Sequence, residues 1–148
     1  MDSVKVQLLV VLTALTGLVY IGVGIIHTSL FVTQNTIFGF PMDPIQGLLL
    51  VIVGFVFIGG IKPLQKKSME GYAFVIVGGI LATLLFLLQM IVIGTNLLGW
   101  YLQLEDWINW SLANDISPAI WLFPLTVLLL LYTKFKDPLE KSFKKEGI

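Results

Sequence analysis

The sequence predicts an all-α integral membrane protein, a four-transmembrane-helix bundle with an extracytoplasmic interfacial amphipathic helix between its third and fourth spans. Three observations predict it. Of the 148 residues, 57% are hydrophobic and only 12% are charged, about half the charged share of a soluble domain. The apolar residues fall into four runs, each bounded by a helix signal or a charge. Every lysine lies at or beyond the ends of those runs.

A spanning helix needs about 20 apolar residues, because the hydrocarbon core is about 30 Å thick and each residue rises about 1.5 Å. The first run, about 6–30, carries no charge after Lys5. It is longer than the apolar core of a signal peptide and lacks a small-x-small cleavage site, so it reads as a mature helix. The second span covers about 44–61. Asp43 is placed to cap it, Pro44 suits the first helical position, and Gln46 completes a capping-box spacing. Gly59 and Gly60 close it before Lys62 and Pro63. Ser68 can cap the third span, about 69–98. The fourth, about 118–134, opens with Ser117-Pro118, the same device as Asp43-Pro44. Pro124 inside it predicts a kink that neighbouring helices absorb, and Lys134 and Lys136 lie where a helix C-terminus favours cations. The whole chain, 1–148, reads as a single transmembrane domain.

Charge placement predicts the orientation. The chain has no arginine, and its nine lysines are 5, 62, 66, 67, 134, 136, 141, 144 and 145. All fall in the N-terminal tail, the loop between spans two and three, or the tail of residues 135–148. The other two loops hold Asp43, Glu105, Asp106 and Asp115 instead. By the positive-inside rule both termini and the basic tail face the cytoplasm, in a cell membrane.

The long loop after span three reads as a helix of about 100–112. Wound at 100° per residue, Trp100, Leu104, Trp107 and Ile108 share one face, with Tyr101 and Trp110 at its flanks and Glu105, Asp106 and Asn109 opposite; Leu102 is the misfit. Trp100, Trp107 and Trp110 are then interfacial anchors whose N–H groups stay wet. A lid or docking surface over an outward-facing pocket is the sharper alternative. Asn109-Trp110-Ser111 also fits a glycosylation sequon, a short pattern that arises often by chance.

Lipid is as apolar as leucine, so helices associate through close backbone approach and polar contacts. On span one, Thr13, Thr16, Gly17, Tyr20, Gly24, His27 and Thr28 gather on one face, which is expected to look inward. Gly22 and Ser29 break the pattern and mark a second contact. Spans two and three share a short likeness, with Gly47 and Gly54 matching Gly71 and Gly78 at the same spacing. Close packing explains it better than duplication. Gly17, Gly24, Gly47, Gly54, Gly71 and Gly78 are therefore the candidate packing residues.

Polar groups inside a membrane need a partner or a purpose. His27, Asp43, Gln89, Asn96 and Asp115 all fall toward the outer ends of their helices and form a candidate polar layer. Each also has a structural explanation: Asp43 as a cap, Asp115 as a loop residue or alternative cap, His27 and Gln89 as interhelical hydrogen-bonding groups. Recognised catalytic patterns are absent from the sequence, and no acidic residue lies within a span, which counts against a proton-driven carrier. The chain has no cysteine and one histidine, too few for a thiolate or three-histidine metal site in one subunit. No metal or cofactor is predicted, and the lysines follow the membrane topology rather than a nucleic acid surface. The leading functional reading is a non-catalytic subunit or accessory module of a larger membrane complex or a homo-oligomer, with the lipid bilayer as solvent. A small transporter or channel component using the outer polar layer is second, and a membrane enzyme third.

Overall fold

The computed structural model describes residues 3–33 and 43–134. The chain runs through α1 (Ser3–Thr33), α2 (Pro44–Gly59), a short α3 (Ile61–Gln65), α4 (Met69–Tyr101), a 3₁₀ turn (Glu105–Trp107), α5 (Leu112–Asp115) and α6 (Pro118–Lys134). The long helices pack in a ring, α1 on α2 and α6, and α4 on α2 and α6. The loop of residues 34–42 and the predicted basic tail of 135–148 lie outside the described residues.

Among the described residues three helices, not four, are long and apolar enough to cross a membrane: Val4–Thr33, Pro44–Gln65 and Met69–Tyr101. This corrects the four-span expectation. The fourth apolar run does form a helix, but α6 has 17 residues, a rise of about 25 Å against a hydrocarbon core of about 30 Å. The chain is a multi-span α-helical membrane protein with a shorter apolar helix packed beside its spans.

Helix α1 buries the face the sequence assigns inward: Thr13, Thr16, Tyr20 and His27 are all buried, while Leu8, Val11, Leu15, Leu18 and Ile25 are exposed. The threonines are tolerated there because their hydroxyls donate back along the helix. Thr13 bonds the carbonyl of Leu9 at 2.8 Å, Thr16 that of Leu12 at 2.8 Å and Thr28 that of Gly24 at 2.9 Å. Tyr20 reaches across instead, its Oη lying 2.8 Å from the Thr126 hydroxyl on α6.

Glycines set the distance between α1 and α2. A Cβ on Gly24 would lie 2.7 Å from the Gly47 carbonyl and 2.9 Å from the Val51 nitrogen. One on Gly54 would lie 2.7 Å from the Gly17 carbonyl, and one on Gly47 would meet the Thr28 hydroxyl. The two pairs, Gly17 with Gly54 and Gly24 with Gly47, run antiparallel at matched seven-residue spacing. Gly71 lies against the Leu64 backbone of α3, and Gly78 against the Phe57 ring. Phe57 therefore sits in a notch of α4 and also meets Tyr20, ring centroids 6.0 Å apart. Phe86 of α4 stacks on Phe123 of α6 at 4.2 Å.

Element boundaries shift in two places. Gly59-Gly60 interrupts the second span without ending it, since α3 carries the helix through Pro63 to Gln65. It stops where Lys67 adopts φ 57°, with its N–H on the Leu64 carbonyl at 2.9 Å. At the other end, the expected amphipathic helix of 100–112 does not form. Helix α4 continues to Tyr101, and Gln103 turns left-handed at φ 53°. The Leu104 N–H then closes onto the Gly99 carbonyl at 3.2 Å. The chain folds back as the 3₁₀ turn, placing the Trp107 ring against Gly99, where a Cβ would lie 2.8 Å from it. Side-chain bonds from Trp107 and Trp110 win over helical periodicity.

Candidate functional site

At the end of the molecule opposite Lys62–Lys67, polar side chains from α2, α4 and the connection into α6 meet. Asp43 caps α2 as the sequence predicts, its Oδ1 accepting from Ile45 N at 3.0 Å and Gln46 N at 3.1 Å. Gln46 departs from the capping-box expectation. Its side chain lies on the buried stripe with Leu50, Val53 and Phe57, so it points into the protein rather than back along its own helix. There Nε2 donates to Gln89 Oε1 at 3.0 Å and to the Ser117 hydroxyl at 3.0 Å.

Gln89 passes the connection on, its Nε2 donating to the main-chain carbonyl of Asp115 at 2.8 Å. Two turns further along α4, Asn96 Nδ2 donates to Asp115 Oδ2 at 2.7 Å. The same carboxylate oxygen accepts from the Trp110 indole N–H at 2.7 Å. Asn96 Oδ1 accepts from the Trp107 indole N–H at 3.1 Å. The result is one continuous clasp joining α2, α4, the fold-back segment and the start of α6. The Asp115 carboxylate is its hub, one oxygen accepting from both an amide and an indole.

The structure thus brings together Gln89, Asn96 and Asp115 of the predicted layer. Asp43 is engaged in capping. His27 stands apart: it is 4% exposed, and its Nε2 is buried with no hydrogen-bond partner. Of the three predicted anchors, Trp100 is exposed, whereas Trp107 and Trp110 turn their N–H groups inward onto Asn96 and Asp115. Sequence reasoning missed Gln46 and Ser117 as members of the clasp, since both have an obvious capping role. The available signal was that Gln46, Gln89 and Ser117 fall at the same depth on three different helices.

The clasp offers amides, one hydroxyl, two indoles and one carboxylate. None of its members forms a nucleophile–base pair, and among the described residues no group of three His, Cys, Asp or Glu side chains is placed to hold a metal ion. A shallow groove of about 560 Å³ lies at the fold-back segment, lined by Trp100, Tyr101, Gln103 and Ile108, none of them in the clasp.

Residues 3–137 match the family described as the MJ0565 integral membrane domain. The chain belongs to this family. A member from Methanocaldococcus jannaschii, protein MJ0565, is 23% identical over 129 residues, covering 82% of this chain and 86% of the relative. The match to the MJ0565 family takes in α1 through α6, so the clasp and the glycine seam both lie within the shared region. No solved structure matches the chain.

Proposed function

We propose that the chain is a non-catalytic membrane module, a subunit or accessory protein that packs against a larger membrane complex or further copies of itself. The observation that carries this reading is the closure of the clasp. Gln46, Gln89, Asn96, Ser117, Asp115, Trp107 and Trp110 bond to one another, leaving a structural lock rather than a set of groups presented to a substrate. A second feature supports partnership. Gly22 on α1 and Gly94 on α4 have nothing within 4 Å of a built Cβ, although glycine inside a helix costs roughly 0.5–1 kcal/mol relative to alanine. Such positions suit close approach of another helix backbone.

The lysine-bearing end is proposed to face the cytoplasm, following the positive-inside rule. Lys5, Lys62, Lys66 and Lys67 share that end, and the Tyr132 hydroxyl donates to the Lys5 carbonyl at 3.5 Å, which returns the end of α6 to the same side. The N-terminal end of α1, with the end of α6 packed against it, would then be cytoplasmic.

Photo-reactive residues at positions 22 and 94, activated in native membranes, test the assignment. Crosslinks to one defined protein partner or to a second copy are expected. Lipid adducts alone, with a strictly monomeric purified protein, would reject it. The transporter reading is favoured by one observation, the unpartnered buried Nε2 of His27. It requires His27→Ala to change solute flux in proteoliposomes while Gln89→Leu, a clasp variant, affects stability.

A further inference from the structure

We infer that the lysine-bearing end holds a binding site for one anionic phospholipid, in the groove between the first turns of α1 and the end of α3. The groove encloses about 530 Å³ and is lined by Val6, Gln7, Val10, Val11, Gln65 and Lys67. Its composition divides as a phospholipid does. Lys67 supplies a cation and Gln7 and Gln65 supply amide donors, the groups that recognise a phosphate oxygen. Val6, Val10 and Val11 form an apolar wall along α1, and below them the exposed Leu15 and Leu18 continue the same helix toward the membrane centre. A headgroup seated on the polar rim would therefore lay its acyl chain down an apolar face.

Three further features favour an anion. The groove adjoins the N-terminal turns of α1, a helix of 31 residues, whose dipole favours negative charge. The main chain that carries Lys67 is fixed at the groove: its N–H bonds the Leu64 carbonyl at 2.9 Å and the next N–H, of Ser68, bonds the Pro63 carbonyl at 2.9 Å. Among the described residues this end carries Lys5, Lys62, Lys66 and Lys67 against Glu70 as its one acid. Free phosphate would satisfy the rim alone. A lipid satisfies rim and wall together, and the protein's place in a membrane supplies it. The inference needs only that this end lie at a membrane surface, so it stands independently of the orientation and partnership proposed above.

The test is native mass spectrometry of the full chain in detergent, titrated with phosphatidylglycerol or phosphatidylcholine. One phosphatidylglycerol per chain is expected at concentrations where phosphatidylcholine does not remain bound. Lys67→Gln should weaken retention about fivefold, the fold-change equal to ~1 kcal/mol for one lysine at a membrane surface. Lys66→Gln removes the same charge from a neighbour that does not line the groove, and should leave retention unchanged. Equal losses in the two variants would reduce the effect to diffuse attraction and overturn the site. So would equal retention of the two lipids, or displacement of the bound lipid by millimolar inorganic phosphate. Should Lys67→Gln fail to fold, Gln7→Leu keeps the charge, removes one rim donor and must lower retention for the site to stand.

Discussion

Replacing Gly24 with alanine should destabilise the protein, whereas the same change two residues earlier, at Gly22, should not. A Cβ on Gly24 would lie 2.7 Å from the Gly47 carbonyl, 2.8 Å from Val51 Cγ2 and 2.9 Å from the Val51 nitrogen. Ordinary contact begins near 3.4 Å, so the first of these falls about 0.7 Å short. Two of the three atoms are backbone, and α1 and α2 must separate to admit the methyl group. Overpacking of this kind costs about 1–3 kcal/mol. Alanine recovers about 0.8–1 kcal/mol of helix propensity over glycine, leaving a net loss of up to ~2 kcal/mol. At Gly22 nothing lies within 4 Å, so only the propensity gain of up to ~1 kcal/mol remains. Gly54→Ala should resemble Gly24→Ala, since its Cβ would lie 2.7 Å from the Gly17 carbonyl. Gly17→Ala should be milder, because the nearest atom at 2.9 Å is the end of the flexible Ile58 side chain and the Gly54 carbonyl lies at 3.0 Å rather than 2.7 Å. Unfolding of purified protein by SDS titration in mixed micelles, followed by tryptophan fluorescence, gives the ranking. If Gly24→Ala and Gly22→Ala shift the midpoint equally, the glycine seam does not set the α1–α2 distance.

Other expectations follow from the same contacts. Tyr20→Phe combined with Thr126→Val in a double-mutant cycle should give a coupling of about 0.6 kcal/mol, the average for interhelical hydrogen bonds in membranes, and at most about 1.7; zero coupling would mean the 2.8 Å contact contributes no stability. Asp115→Ala removes the acceptor shared by Asn96 and Trp110 and should red-shift the tryptophan emission as the fold-back segment loosens, an effect Glu105→Ala should lack. Cysteines introduced at 66 and 106 into this cysteine-free chain should label from opposite sides of the membrane, because α4 separates them; labelling from one side would remove α4 as a span.

Much of the spacing information was legible because a membrane leaves few choices. The inward face of α1 follows from Thr13, Thr16, Tyr20 and His27 recurring at helical spacing, and the structure buries all four. Asp43-Pro44 reads as a helix start because no other local device satisfies both residues so well. What failed depended on partners distant in sequence. The pattern of 100–112 does fit an amphipathic helix, but Trp107 and Trp110 find acceptors in Asn96 and Asp115, which a helical wheel does not contain. Gln46 was legible as a cap and is instead an interhelical donor, because its position on the stripe with Leu50 and Val53 turns it inward. The fourth span was overcounted for a different reason: its end signals are sound, yet they mark a helix too short to satisfy the length criterion.

That shortness bears on how α6 is held. Between helices in lipid, burying apolar surface contributes little, so a short helix must be fixed by packing and polar ties. Helix α6 and its leading residue have one tie at each depth. Ser117 accepts from Gln46 at the clasp end, Thr126 meets Tyr20 in the middle, and Tyr132 donates to the Lys5 carbonyl at the lysine-bearing end. At about 0.6 kcal/mol each, the three ties together are worth only ~2 kcal/mol, comparable to the cost of the Gly24 methyl. The α1–α2 pair has continuous backbone approach over two glycine pairs and no such dependence. Helix α6 should therefore detach before the α1–α2 seam opens. Hydrogen exchange in detergent should find amides of 118–133 less protected than those of 47–57, and Tyr20→Phe should widen that difference. Equal protection of the two segments would show that the ring of helices opens as one unit.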